Sequence, residues 1–381
     1  MGILPTDKFP LLIVLNPHSG KKEGREVLQT IVQPALSQAG KPFKVIESTA
    51  QGHAQSYFSE NIKPIIIDLA QSLGTVDDAD GVPTQPKSAT LQIMVLGGDG
   101  TVHEIVNGIL QGVEGSAFVS DEFRPNVEFS IIPTGTGNAI STSLGVTGAQ
   151  DALERFLTGK PVPLRLMSVS TRASVESHWK PHVYTVVVNS YGLHCATVYD
   201  SEEFRHLGNE RFRQAAMKNI ENLKQYEGKL DLVGPVQAYD RTQRSLATLT
   251  TQGDKDNGDT TSLPGPFTYL LITKQASLEP GFTPTPFAST SDEWMDILAV
   301  QNAGQSELLQ MFGATATGQH VDQEKIEYFK AKAIELEIPE SLTKGRLCVD
   351  GEFLTINGGP QGRVRFEVTT DANTQFFSVF V

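Results

Sequence analysis

The feature that most constrains the fold is residues 91–110, where a largely apolar strand leads through a glycine-rich turn into a helix. Residues 91–96 have the length and composition of a buried strand, and from Val102 to Leu110 apolar residues recur at helical spacing. The turn between them holds three glycines, which allow the backbone to approach a ligand closely. Because the N-terminus of a helix offers unpaired N–H groups, this order of elements predicts a phosphate-binding turn.

Asp99 is unexpected at the centre of such a turn, because a carboxylate repels phosphate. The residue is useful there if it holds Mg²⁺ or takes a proton from an attacking hydroxyl. The alternative is a structural role, in which Asp99 caps the helix by accepting an N–H from Thr101 or Val102. The local sequence leaves these interpretations open.

A second strand, turn and helix follow at residues 129–139, with residues 134–138 as the turn. Earlier strands at 11–15 and 43–47 also precede helical patterns, and this alternation predicts a parallel sheet. Two glycine turns in one domain predict a single ligand at the carboxyl ends of the strands. The polar turn at residues 16–22 belongs to the same edge, either as a nucleotide contact or as an ordinary loop.

The pattern changes after about residue 160, where short runs of period two predict an antiparallel β region. Two polar stretches, residues 74–90 and 240–266, have the composition of exposed insertions. The predicted strands of this second half are 164–170, 183–189, 229–236, 267–272, 295–300, 333–338, 346–349, 352–356 and 363–368.

Composition limits the function classes. The 381 residues include 44 acidic and 31 basic side chains, a net charge of −13 that argues against a nucleic-acid partner. Two cysteines predict no disulfide framework and a reducing, cytoplasmic location. No stretch approaches the roughly 18 consecutive apolar residues of a transmembrane helix. Gly2 and Thr6 fit a loose myristoylation pattern, which would give only a weak, reversible anchor.

The two glycine turns, GGDGTVHEIVNGIL and IIPTGTGNAISTSLG, together resemble the catalytic domain of the diacylglycerol, sphingosine and ceramide kinases. The first turn alone is also similar to the NAD kinases. Further blocks that resemble the lipid kinases are NPHSGKKEG, SEEFRHLGNERF and CVDGEF. The resemblance implies a three-layer α/β nucleotide-binding domain at residues 1–158. It also implies a β-sandwich domain for the lipid substrate at residues 159–381, whose last segment folds back on the first domain.

By the same resemblance, the cofactors are ATP and Mg²⁺, with Asp99 as metal ligand and Asp99 or Glu352 as catalytic base. The resemblance also implies a set of nucleotide-binding residues, drawn from all these blocks. They are Asn16, Pro17, His18, Ser48, Thr49, Gly52, Gly97, Gly98, Gly100, Thr101, Thr134, Gly135, Thr136, Gly137, Asn138, Arg205, Arg211, Asp350 and Gly351. His18 departs from the sphingosine kinases, which carry an arginine there.

Residues 202–213 contain two arginines that suit a di- or triphosphate, since each guanidinium binds oxygens bidentately. A continuous helix would hold Arg205 and Arg211 on different faces, so a bend at Gly208 is needed to bring them together. The alternative is a salt-bridged surface with nearby glutamates such as Glu202 and Glu210.

Sphingosine kinases carry a lipid-recognising carboxylate seven positions before the first of these arginines, where this chain has Val198. Valine cannot pair with an ammonium, so the sequence favours an uncharged lipid over a free sphingoid base. Asp200, two residues later, is the alternative acid.

Two further segments allow a structural or a functional interpretation. Asp350-Gly351 alone is typical of a hairpin turn, whereas the resemblance assigns it to the nucleotide site. The acids of residues 292–300, DEWMDILAV, are either structural or ligands of a second Mg²⁺.

The resemblance implies an ATP-dependent lipid kinase that phosphorylates a primary hydroxyl of a sphingolipid- or diacylglycerol-type lipid. The lipid would be presented by a membrane surface with which the protein associates peripherally. The alternatives are a kinase of the NAD kinase type with a soluble substrate, and a nucleotide-binding regulator without catalysis.

Overall fold

The computed structural model describes residues 11–73, 76–77, 83–84, 88–114, 124–172, 178–208, 210–249, 260–342, 344–359, 362–370 and 376–381. Gly2 and Thr6, with the myristoylation pattern they form, lie outside the described residues, as does much of both polar stretches. The chain divides into two compact units, Met1–Leu164 with Thr370–Val381, and Arg165–Thr369. Among the described helices, none is both long and apolar enough to cross a membrane.

Unit 1 is an α/β unit. Its strands are β1 (Leu11–Leu15), β2 (Phe43–Glu47), β3 (Val76–Asp77), β4 (Pro83–Thr84), β5 (Ser88–Gly97), β6 (Arg124–Pro133), β7 (Pro161–Pro163) and β20 (Phe377–Phe380). Its α-helices are α1 (Gly24–Val27), α2 (Gln33–Gln38), α3 (His53–Leu73), α4 (Asp99–Val113), α5 (Ala139–Ser143) and α6 (Ala149–Thr158), with a π-helical turn at Leu28–Val32 between α1 and α2.

The main sheet of unit 1 has the order β2-β1-β5-β6-β20-β7. All neighbours are parallel except β20 and β7. Helices α2 and α6 share an apolar core with the sheet, in which Leu36, Leu153 and Phe156 pack with strand residues. Helices α3 and α4 pack on each other. The parallel arrangement aligns the carboxyl ends of β2, β1, β5 and β6 along one edge.

Unit 2 is antiparallel. Its strands are β8 (Met167–Thr171), β9 (Lys180–Thr185), β10 (Val188–Gly192), β11 (Lys229–Asp240), β12 (Ser245–Thr248), β13 (Thr260–Pro264), β14 (Phe267–Thr273), β15 (Met295–Gln301), β16 (Ile326–Glu337), β17 (Lys344–Val349), β18 (Glu352–Asn357) and β19 (Val364–Val368). Its α-helices are α7 (Leu193–Asp200), α8 (Glu210–Glu221) and α9 (Gln305–Ala314), with 3₁₀ turns at Ser201–Leu207, Thr315–Thr317 and Gln319–Asp322.

The path through this sheet is β18-β17-β10-β14-β15-β16-β19-β8-β9, with β11 on β16 and β12 and β13 on β11. Every residue of β14 is buried, so this strand is covered on both faces, as expected inside a sandwich-like domain. The fold class predicted from the sequence, an α/β domain with a separate β domain, is therefore confirmed.

The expectation that residues 240–266 form only an insertion is wrong in part. Strands β12 and β13 lie within that stretch and both pair with β11. Most side chains of these two strands are exposed and most are polar, so their amino-acid composition is similar to that of a loop.

Candidate active site

The two glycine turns of unit 1 touch through their backbones. A Cβ atom built on Gly135 would lie 2.2 Å from the Cα of Gly98, and one built on Gly98 would lie 3.0 Å from the Cα of Gly135. The N–H of Thr134 donates to the carbonyl of Gly97 over 3.1 Å, which joins the turns at their base. Glycine is required at this contact because any side chain would force the two turns apart.

Asp99 is the first residue of α4, and its carboxylate reaches the second turn. Its Oδ2 accepts the N–H of Ala139 over 2.6 Å, and its Oδ1 accepts that of Ile140 over 3.1 Å. Both donors belong to the first turn of α5, whose N–H groups have no partner within the helix. The carboxylate therefore caps α5, whereas the N–H groups of Thr101 and Val102 in its own helix donate to the carbonyl of Gly98.

The second turn is further shaped by Asn138, which has a left-handed backbone with φ of 57°. Its side chain closes the turn on itself, because Oδ1 accepts the N–H of Gly135 and Nδ2 donates to the carbonyl of Gly135. Thr136 and Gly137 are only half-buried and lie between these fixed points. The turn is thus rigid at its ends and accessible in the middle.

The polar turn after β1 meets both glycine turns. The Nδ2 of Asn16 donates to the Oγ1 of Thr101 over 3.1 Å, while the Oγ of Ser19 donates to the carbonyl of Thr134 over 3.3 Å. Pro17 is buried beneath the turn, and His18 is exposed with its N–H bonded to the Oδ1 of Asn16. The resemblance implies that Asn16 contacts the nucleotide, and the structure shows that its amide also joins the turn after β1 to α4.

The loop after β2 lies at the same edge. The hydroxyl of Ser48 is buried and donates to the carbonyl of Ala50, and the N–H of Thr49 donates to a ring nitrogen of His53. The N–H of Gly52 donates over 2.9 Å to the carboxylate of Glu104.

Glu104 is a site residue that the sequence analysis did not identify. It lies on α4, five residues after Asp99, and also accepts the N–H of Ala54 over 3.1 Å. Its two bonds satisfy the N-terminus of α3, so this carboxylate and Asp99 each cap a helix other than their own. The only sequence signal was an acid inside the largely buried helix α4, which does not reveal its distant partner.

In unit 2, the structure brings both arginines of residues 202–213 to one carboxylate. Arg205 donates through Nε to Glu202, and Arg211 donates through Nη1 to the same residue over 3.2 Å. The bend that permits this occurs at Gly208, where φ is +61°. Burial lowers the pKa of Arg211 from its ordinary value, opposed by Glu202. The Nε of Arg211 is buried without a hydrogen-bond partner among the described residues.

Asp350 and Gly351 form the two-residue turn of the β17–β18 hairpin, because Val349 pairs with Glu352. Both turn residues have positive φ, 49° and 92°, which is the requirement of a type I′ turn. The hairpin interpretation of this dipeptide is therefore confirmed. The exposed Glu352 follows as the first residue of β18.

The Asp350 carboxylate has its own partners. It accepts backbone N–H groups from three consecutive residues before and at the start of β10, namely Val186, Val187 and Val188, over 2.7 to 2.9 Å. Three such bonds make Asp350 a structural anchor of the β10 segment, in addition to the role that the resemblance assigns it.

Two acids of the DEWMDILAV segment, Asp292 and Asp296, lie in an ionic cluster with buried lysines, whereas the third, Glu293, is partly exposed and pairs with Lys332. Lys274 is fully buried and donates to Asp292 over 2.6 Å, while Lys330 lies 2.9 Å from Asp292 and 3.2 Å from Asp296. The Oδ1 of Asp296 also accepts the hydroxyl of Tyr328 over 2.5 Å. Two ammonium groups thus neutralise the two carboxylates. These residues do not fit a second Mg²⁺, because the cluster already contains its cations.

Among the described residues, no three His, Cys, Asp or Glu side chains are grouped as an all-protein metal site would require.

The chain matches two family models in succession. The diacylglycerol kinase catalytic domain matches residues 10–169, and the YegS C-terminal NAD kinase beta sandwich-like domain matches residues 187–361. Together they cover most of both units.

Curated relatives agree with this assignment. Sphingosine kinase 2 of Arabidopsis thaliana is 24% identical over 90% of this chain and 69% of its own length. Human sphingosine kinase 1 is also 24% identical, over 95% of this chain and 90% of its own length. Among solved structures, a putative diacylglycerol kinase from Bacillus anthracis aligns with a TM-score of 0.60 and 19% identity, covering 98% of this chain and 95% of that one. At that identity the structural match supports the fold alone.

Proposed function

We propose that this chain, which belongs to the family of lipid kinases with a diacylglycerol kinase catalytic domain, phosphorylates a primary hydroxyl of an uncharged sphingolipid- or diacylglycerol-type lipid. The family membership makes it an ATP-dependent lipid kinase, so the proposal concerns the substrate and the residues. The observation that carries it is the contact of the two glycine turns, with the Asp99 carboxylate between them.

The phosphates of ATP would lie on these turns. The backbone around Gly100 has open space, since a Cβ atom there would meet nothing within 4 Å. The half-buried middle of the second turn, Thr136 and Gly137, offers further backbone groups. Exposed backbone beside the start of a helix suits phosphate because its N–H groups and dipole attract negative charge.

Asp99 would act on the acceptor. A carboxylate oxygen that accepts one N–H bond retains a second lone pair, so capping α5 is compatible with receiving the proton of a lipid hydroxyl. The capping bonds would also fix the direction of the carboxylate before the substrate arrives. By the family resemblance, Glu352 is the second candidate base, and it is exposed at the start of β18.

The residues fit Mg²⁺ of the kind that kinases use. This ion is commonly held by one or two carboxylates, with water and substrate phosphate completing its coordination, and Asp99 supplies one such carboxylate. When bound, the ion neutralises charge on the β- and γ-phosphates.

Arg205 and Arg211 would pair with the nucleotide phosphates. Their shared partner Glu202 shows that a single anion can engage both side chains. A triphosphate carries more charge than one carboxylate, so it would compete well for the same guanidinium groups. The Nε of Arg211, for which the described part of the chain supplies no hydrogen-bond partner, is a further donor.

The preference for an uncharged lipid comes from α7. Val198 stands where the sphingosine kinases have a carboxylate, and it offers no partner for an ammonium group. The alternative acid, Asp200, is half-buried and its Oδ2 accepts the amide of Asn219 on α8 over 3.0 Å. Asp200 is therefore occupied in joining α7 to α8. The curated relatives named above are sphingosine kinases, so this preference is where we expect the chain to differ from them.

We further propose that the lipid is presented by a membrane surface and that the protein associates with it reversibly from the cytoplasm. A lipid with two long chains has negligible solubility in water, so the enzyme must meet it at an interface.

The test is transfer of labelled phosphate from ATP to lipids in mixed micelles. The panel contains ceramide, diacylglycerol, monoacylglycerol, sphingosine and phytosphingosine, with NAD in buffer and an Asp99→Asn variant as controls. Label on ceramide or diacylglycerol that disappears in the variant is the expected result. Label on sphingosine would contradict the interpretation of Val198, and label on NAD alone would indicate a soluble substrate. ATP binding without any transfer would indicate a regulator.

A further inference from the structure

Helix α7 carries a polar residue, His194, on the side that holds the apolar Val198. His194 lies four residues before Val198 within the same helix, so the two side chains project from one face about one turn apart. If a lipid passes Val198, as the proposed function requires, it also passes His194.

His194 is held in a fixed orientation. Its Nδ1 lies 2.8 Å from the Oγ of Ser190, at the end of β10, and its ring meets the ring of Tyr269 edge-on at 5.7 Å. Burial lowers the pKa of His194 to about 4, so the ring is neutral at physiological pH. A neutral imidazole has one donor and one acceptor nitrogen, and the Ser190 bond uses only one of them.

Tyr269 lies beside it on β14. Its side chain is 1% exposed, yet its hydroxyl has no hydrogen-bond partner among the residues that the structure describes. Phe312 of α9 packs edge-on against its ring at 5.9 Å. A buried hydroxyl without a partner is unfavourable, and phenylalanine would fill the same space without that cost.

We propose that Tyr269 and His194 form a subsite that hydrogen-bonds a polar group on the lipid, either a backbone hydroxyl or the carbonyl of an acyl linkage. The subsite rests on the proposed function, since the course of the lipid along α7 is taken from it. A phenol can donate to a carbonyl and can exchange bonds with a hydroxyl, as can a neutral imidazole. Such a site recognises lipids by a polar group, where apolar contacts discriminate only weakly.

The informative variant is Tyr269→Phe, which removes one oxygen and keeps the ring contacts with His194 and Phe312. The matched control is Tyr191→Phe, because Tyr191 is also buried but its hydroxyl already donates to the carbonyl of Glu227 over 2.9 Å. We expect Tyr269→Phe to melt at or above the temperature of the wild-type protein. Tyr191→Phe should melt lower, because it leaves that carbonyl unpaired.

Kinetics then test the subsite with four lipids: ceramide, its 3-deoxy analogue, diacylglycerol and a diether analogue without carbonyl groups. Tyr269→Phe should raise KM for the preferred lipid at least tenfold and leave KM for ATP unchanged. Wild-type preference for ceramide over its 3-deoxy analogue, abolished in the variant, would identify a hydroxyl. Preference for the diacyl over the diether lipid, abolished in the same way, would identify a carbonyl.

The proposal is overturned if Tyr269→Phe leaves KM for every lipid within twofold of wild type, or if the variant loses stability as Tyr191→Phe does. These failures differ from failure of the proposed function, in which the wild-type protein itself would transfer phosphate to none of the lipids.

Discussion

The close approach of Gly135 to Gly98 predicts that a Gly135→Ala variant will be less stable and will bind ATP more weakly. The added methyl group would lie 2.2 Å from the Cα of Gly98, 2.7 Å from its nitrogen and 2.8 Å from the Oδ1 of Asn138. Carbon atoms in contact normally lie about 3.5–4.0 Å apart, so the two turns would have to separate by more than about 1 Å. Two of the three obstructing atoms are backbone, and a change of side-chain rotamer cannot relieve them.

The expected cost follows from this geometry. Overpacking a closely packed site costs about 1–3 kcal/mol, and a clash with backbone belongs at the upper end of that range. A loss of about 3 kcal/mol lowers the melting temperature of a domain of this size by roughly 6–12 °C. Separation of the turns would also move the N–H groups of α5 away from Asp99, so ATP binding should weaken with stability.

The matched control is Gly100→Ala, in the other turn. No atom lies within 4 Å of a methyl group at this position, which is the second residue of α4. Alanine in a helix is favoured over glycine by roughly 0.5–1 kcal/mol, so this variant should melt slightly higher than wild type. If the phosphates of ATP occupy the open space, its KM for ATP should nevertheless rise about tenfold or more.

Both variants would be measured by thermal unfolding and by steady-state kinetics. The close approach of the turns is refuted if Gly135→Ala melts within about 1 °C of the wild-type protein. The phosphate position is refuted if Gly100→Ala keeps its KM for ATP. A lower melting temperature for Gly135→Ala and a slightly higher one for Gly100→Ala, with weaker ATP binding in each variant, would support the close approach of the turns and the phosphate position.

Three further predictions follow from single side chains. Asp99→Asn should lower kcat by at least about a thousandfold, which steady-state kinetics would measure. It should also lower the melting temperature measured by circular dichroism, because an amide cannot accept both N–H groups of α5. Arg211→Ala should raise KM for ATP more than tenfold, whereas Glu202→Gln should lower KM for ATP because it frees both arginines. If neither variant changes KM for ATP, Arg205 and Arg211 do not bind its phosphates. Burial raises the pKa of Asp296 to about 6, against the attraction of Lys330. Because the folded protein holds this proton more tightly than the unfolded chain, the free energy of unfolding should fall as pH rises from about 4 to 6. Urea unfolding across that range should show this decline, of roughly 2–3 kcal/mol, and Asp296→Asn should abolish it.

The sequence predicted the elements that depend on local pattern. Strand β5, its glycine turn and helix α4 follow one another without interruption, so composition and periodicity were sufficient to place them. The Asp350-Gly351 hairpin was predictable for the same reason, since its geometry is set by two adjacent residues. Strands β12 and β13 were missed because their exposed side chains carry no apolar alternation, and their pairing with β11 is a property of the folded sheet.

The partners of the polar side chains could not be predicted in this way. Asp99 and Ala139 are 40 residues apart, and Glu104 and Gly52 are 52 residues apart, so no local pattern connects them. The cluster around Lys274 shows the same limitation, because sequence reasoning weighed its acids without the buried ammonium groups that neutralise them. A carboxylate has the same appearance in a sequence whether it binds a cation, caps a helix or takes a proton.

That ambiguity bears on how the site must be tested. Asp99 caps α5 and Glu104 caps α3 in unit 1, whereas Asp350 anchors the segment before β10 in unit 2. Each of these carboxylates therefore holds backbone that is distant in sequence but belongs to its own unit. A variant that removes one of them would lose activity through misplaced turns even if the carboxylate had no chemical role. Glu104→Gln therefore calibrates the assay, since it removes a cap without removing a proposed base. A thousandfold loss for Asp99→Asn is evidence of proton transfer only if Glu104→Gln, at a similar loss of melting temperature, retains most of its kcat.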